Sequence, residues 1–67
     1  MEERRIRDKN NMTIGWVRDS GSQLMATHIS KGYVGYYNKG TDMTFDSSGR
    51  IFCYGDGTCC LIREADK

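Results

Sequence analysis

Three thiols and one imidazole are the side chains here best suited to nucleophilic or metal chemistry: Cys53, Cys59, Cys60 and His28. Spacing decides what they can do. Structural zinc takes four Cys or His ligands in a tetrahedral array. Cys59 and Cys60 are adjacent, so in a strand they point to opposite faces and cannot share an ion. No metal site within one chain is signalled. If Asp56-Gly57 makes a two-residue hairpin turn, Cys53 and Cys60 stand opposite each other, with Cα atoms ~4.5–5.5 Å apart, within disulfide range. We read them as buried thiols packing as small apolar groups; a redox-sensitive bridge is the alternative. His28 has no partner at a fixed spacing that would make it a base. Asp19, Asp46 and Asp56 belong to separate turns, so no paired-acid site is signalled. The phosphate-cradling pattern Gly-x-x-x-x-Gly-Lys-Ser/Thr is absent. The sequence points to no catalytic residue and no cofactor, and the chain is expected not to be an enzyme.

Binding chemistry is better represented. Tyr33, Tyr37, Phe52 and Tyr54, with Arg50 and Arg63 nearby, are expected on one strand face together with Val17 and Leu61. Tyrosine and arginine are enriched at the energetic centres of protein interfaces. The same pair of residue types stacks on nucleobases. A second packing layer, closed by the repeats or by another copy of the chain, would also use this face.

Hairpins must position these groups. Turn-forming segments recur about every nine or ten residues: Lys9-Asn10-Asn11, Asp19-Ser20-Gly21, Ser30-Lys31-Gly32, Lys39-Gly40, Ser47-Ser48-Gly49 and Asp56-Gly57. That spacing, with short alternating runs between, predicts an all-β chain without a long helix. Asp56-Gly57 suits a type I′ turn and pairs Cys53 with Cys60 and Ile51 with Ile62. Lys39-Gly40 pairs Tyr36 with Met43 and Val34 with Phe45. A three-residue loop at Asp19-Ser20-Gly21 pairs Trp16 with Leu24 and Ile14 with Ala26. The implied core is Ile14, Trp16, Leu24, Ala26, Val34, Tyr36, Met43, Phe45, Ile51, Cys53, Cys60 and Ile62.

Residues 30–46 match residues 47–63 at an offset of seventeen, with Gly32 on Gly49, Tyr37 on Tyr54 and Gly40 on Gly57. A looser copy lies upstream at Ile14-Gly15-Trp16-Val17. Repetition means one supersecondary piece used several times. The Asp-x-x-Gly turn of Phe45-Asp46-Ser47-Ser48-Gly49-Arg50-Ile51 and the strands Ile14-Gly15-Trp16-Val17 and Val34-Gly35-Tyr36-Tyr37 resemble the four-fold β-flower domain of small bacterial and phage proteins. The resemblance covers residues 6–62, with Phe52 standing where the family prefers glycine. It implies pseudo-symmetric hairpins around an axis, in a flower- or barrel-like antiparallel meander, and no established activity.

Sixty-seven residues make one small domain with a limited core. The expected division is a flexible charged N-terminus over residues 1–5, a hairpin-repeat domain over 6–63 and a C-terminal tail over 64–67. Ten basic and nine acidic residues leave a net charge of +1, which gives no strong nucleic-acid signal and none for a membrane surface. An odd number of cysteines and no signal-peptide-like apolar run place the chain in the cytoplasm. The leading expectation is a non-catalytic, homo-oligomeric β-module that also binds a partner protein, of the kind phages and mobile elements use as accessory or inhibitor proteins. The alternatives are an oligomer that sequesters a nucleotide-like small molecule, and a structural piece of a larger assembly.

Overall fold

Wherever a side chain satisfies the amides of a tight loop, the chain can reverse direction. Asp8 Oδ1 accepts from the amides of Asn10 and Met12 at 2.8 and 3.0 Å. Asp46 Oδ1 accepts from those of Ser48 and Arg50 at 2.9 and 3.1 Å. His28 does the same work with its ring, where Nδ1 accepts from Ser30 and Lys31 at 3.1 and 3.2 Å. The computed structural model describes residues 3–67 and contains six strands and one helix. They are β1 (Glu3–Arg7), β2 (Thr13–Asp19), β3 (Gln23–His28), β4 (Gly32–Asn38), β5 (Met43–Asp46), β6 (Ile51–Tyr54) and α1 (Thr58–Ala65). The strands form one antiparallel meander in sequence order, as the hairpin pattern predicts. The sheet is open rather than barrel-like, with β1 and β6 outermost.

Each of the three side-chain-braced turns feeds a β-bulge. Register shifts leave Ile14, Val34 and Phe52 without a partner, each six residues after Asp8, His28 or Asp46. The structural repeat therefore advances by 20 and then 18 residues (8 to 28 to 46), not by seventeen. After each bulge comes a small residue: Gly15, Gly35 or Cys53. In this register Cys53 is the counterpart of Gly15 and Gly35.

Residues 58–62, expected as a strand, form α1 instead. Asp56 Oδ1 accepts from the Thr58 amide at 3.1 Å and from its hydroxyl at 2.7 Å, bracing the helix start. Gly57 has φ −108°, outside the region a type I′ turn requires. Thr58, Leu61 and Ile62 are buried with Ala65 half-buried, the i, i+3, i+4, i+7 spacing of a helix face. Cys60 is thereby exposed on a helix, and it is not the strand partner of Cys53; all three thiols are free.

The helix packs on β2, β3 and β4 and decides which sheet face becomes the core. Ile6, Ile14, Val17, Ala26, Leu61 and Ile62 form that core, with Leu24, Val34 and Cys59 packed against it. Trp16, Tyr36, Met43, Phe45 and Ile51, expected in the core, lie on the opposite face. Tyr36 changes face because Val34 is bulged and Gly35 pairs with Ala26, and Met43, Phe45 and Ile51 share its face across β5 and β6. For Trp16 the cause is the β2–β3 turn. Ser20 pairs with Gln23 around Gly21-Ser22, its amide donating to the Gln23 carbonyl at 2.9 Å, so Val17 rather than Ile14 comes level with Ala26 and Trp16 points to the other face. A loop one residue shorter inverts the strand. At β4–β5 the loop is longer than expected, because Asn38 Oδ1 holds the amides of Gly40 and Thr41. Tyr36 therefore pairs with Phe45 and not Met43, a shift of two that keeps the face. Residues 3–5, expected as part of a flexible terminus, pair with Trp16–Arg18 as the start of β1; residues 1 and 2 lie outside the described region. The helix continues to Ala65, past the boundary expected at 63.

Candidate functional site

The face of the sheet turned away from α1 has no layer over it among the described residues. Strand alternation and register place its side chains in rows. One row reads Arg5, Trp16, Thr27 and Tyr33. The next reads Glu3, Arg18, Met25, Tyr36, Phe45 and Ile51. Beyond it come Gln23, Asn38, Met43 and Tyr54. Tyr54 is 80% exposed and Ile51 53%. Tyr33 and Met25 are also exposed, and Trp16, Tyr36, Met43 and Phe45 are half-buried only by their neighbours in the sheet.

This face is stiff at its centre. The rings of Tyr36 and Phe45 stack with centroids 5.2 Å apart and planes 24° from parallel. Partial burial, and then the nearby Tyr36 phenol, hold the Tyr33 phenol above its ordinary range. The three charged residues Glu3, Arg5 and Arg18 are confined to the β1–β2 end, where Arg18 reaches Glu3 at 3.2 Å. The arrangement has an apolar centre, one aromatic end and one charged end.

The six residues expected to form a binding surface do not come together. Tyr33 and Tyr54 lie on the open face. Tyr37 lies on the helix side, beside Leu24 and Thr44, and its hydroxyl donates to Asp42 at 2.6 Å, which raises the phenol. Phe52 is the bulged residue of β6, with its ring edge near Gly57. Arg50 follows the Asp46 turn, and Arg63 is exposed on α1. Sequence reasoning put Trp16, Tyr36, Met43, Phe45 and Ile51 in the core, and it left Met25 unassigned. Their alternation with Val17, Ala26 and Thr44 was the signal, and it was misread because the turn at 20–23 was given the wrong length and the bulge at Val34 was not foreseen.

Two further groups sit on the helix side. His28 is 4% exposed, and its Nε2 lies 3.0 Å from Asp66 Oδ1. Because Nδ1 accepts two amides, the ring proton is assigned to Nε2, which donates to Asp66. Both nitrogens are engaged, and the imidazole ties the β3–β4 turn to the end of α1. Between β1 and α1 runs a groove of about 570 Å³ lined in part by Arg4, Arg7, Cys59 and Arg63. Among the described residues no carboxylate lies within ion-pair distance of these arginines.

No cluster of three or more metal-binding side chains occurs among the described residues, and no helix there is long and apolar enough to cross a membrane. No protein-family model, curated protein or solved structure matches the chain.

Proposed function

We propose that this chain is a non-catalytic β-module of the cytoplasm that acts through protein contacts, by self-association and by binding a partner protein, as an accessory or inhibitor protein of a phage or mobile element would. The observation that carries this reading is the open sheet face, on which Trp16, Met25, Tyr33, Tyr36, Met43, Phe45, Ile51 and Tyr54 are contiguous. An apolar patch of several hundred Å² on a small domain marks an interaction surface. The engagement of both His28 nitrogens supports the absence of catalysis, since neither is available to a substrate. Kinship with the β-flower domains belongs to the same proposal, supported by the thrice-repeated turn and bulge. The test is affinity capture from a host lysate with the native chain and with an Ile51→Lys, Tyr54→Lys variant, followed by calorimetry with each purified candidate. A partner that binds the native chain and not the variant supports the reading. Equal binding by both would place the function elsewhere.

The second reading, sequestration of a nucleotide-like anion, is favoured by the groove holding Arg4, Arg7 and Arg63, whose guanidinium groups suit phosphate oxygens. Native mass spectrometry of protein purified from its host checks it. A co-purifying small mass lost in Arg63→Ala would support sequestration.

A further inference from the structure

We infer that the open sheet face is covered by a second copy of this chain, packed face to face about a two-fold axis that runs along the strands. This rests on the reading of that face as an interaction surface and goes beyond it by naming the occupant and the geometry.

Three observations carry it. The first is area. Six strands spaced ~4.8 Å apart occupy a face bounded by the 33 and 25 Å extents of the molecule. That limits burial to roughly 800 Å² per copy, the size of a standard stable interface. A second sheet can cover such a face in one step, because aligned sheets pack ~10 Å apart with interdigitating side chains.

The second is chemistry. Met25, Met43 and Ile51 flank the rings of Trp16, Tyr36 and Phe45. Aliphatic and aromatic groups mixed in this way fill a sandwich interior. A stacking platform for single-stranded nucleic acid would instead need cations spread along the path of the strand, and here the cations on the face are gathered at one end.

The third is polarity across the face. Arg5, Arg18 and Glu3 lie at the β1–β2 end and Tyr54 at the β6 end. A two-fold axis along the strands lays β6 of one copy over β1–β2 of the other. It brings the most exposed ring, Tyr54, to the row beside Arg18, within reach of its guanidinium group for a favourable cation–π pairing. Because the contact is isologous, each such pairing occurs twice. A two-fold axis across the strands would set the arginines against their own copies, which like-charge repulsion opposes.

The test is sedimentation velocity of the full chain from about 1 to 200 µM, a range that brackets micromolar affinity. The native chain is expected at twice its 7.7 kDa mass through most of that range. Ile51→Lys and Tyr54→Lys, at positions too exposed to threaten the monomer, should each weaken association at least tenfold, about 1.4 kcal/mol. Cys60→Lys, exposed on the helix side, should leave it unchanged. Association that survives both face variants, or is lost with Cys60→Lys, would overturn the inference. So would a native chain that stays monomeric at every concentration. In that case binding of a hydrophobic dye that Ile51→Lys abolishes would leave the interaction-surface reading standing without the dimer. No dye binding would remove both.

Discussion

Gly35 and Leu61 sit so close that a Cβ on the glycine would lie 2.7 Å from Leu61 Cδ1 and run into the Phe45 carbonyl. Gly15 holds the same relation to Ile62 at 2.8 Å. The helix rests on two backbone depressions, each following a bulge. Gly35→Ala is expected to cost about 3 kcal/mol, because the alanine meets backbone that cannot move aside and φ is +151°. Urea unfolding followed by far-UV circular dichroism checks this. An unchanged midpoint would mean that α1 does not seat there.

Gly57 is confined by a neighbouring side chain. Its φ of −108° suits any residue, but an added Cβ would collide with Cys53 Sγ. Gly57→Ala should destabilise by about 1–2 kcal/mol, and Cys53→Ala in the same chain should recover at least half. A double-mutant cycle measures the coupling; additive effects would show that the thiol is not the obstacle.

His28→Ala removes the acceptor for the part-buried amides of Ser30 and Lys31, each hydrogen bond being worth about 0.5–1.5 kcal/mol. Asp66→Ala removes one bond from a partly exposed carboxylate and should cost less. Hydrogen exchange separates the two roles. Amides 30 and 31 should exchange faster in His28→Ala and not in Asp66→Ala.

Acid should weaken the fold through two turn carboxylates. The Ser48 hydroxyl, then the Arg50 amide, hold Asp46 below its ordinary 3.8, and the Gly21 amide, then Lys39, do the same for Asp19. A carboxyl with a depressed folded value stabilises above its unfolded value, and that stabilisation disappears as pH falls through the folded value. The urea midpoint is therefore expected to fall below about pH 4. Asp46→Asn, which keeps a carbonyl acceptor, should flatten that limb. An identical acid limb in the variant would remove Asp46 as a source.

The strands and the order of hairpins were legible in the sequence, because alternation and turn residues are local signals. Which face is buried was not. Asp19-Ser20-Gly21-Ser22 accommodates a two- or a three-residue loop, and choosing the longer one moved Trp16 inward and Val17 outward. The helix was hidden by Asp56-Gly57, a dipeptide that opens hairpins in many chains and here precedes a helix. The spacing of Thr58, Leu61, Ile62 and Ala65 was the competing signal. The binding residues scattered for the same reason, since a face assigned by parity inherits every error in loop length.

The position of α1 in the chain has a consequence for synthesis on the ribosome. Every strand pair in the meander joins neighbours in sequence, so the sheet can zip together as it emerges. Yet Leu61 and Ile62, worth ~1.5–3 kcal/mol each when buried, rival the few kcal/mol that hold a domain of this size together. Until they leave the exit tunnel, the nascent sheet presents apolar groups on both sides and has little reason to persist. Emergence of α1 would then act as the trigger for folding, and a chain stalled or truncated before it would reach the solvent as a sticky, double-sided ribbon rather than a smaller version of the native protein.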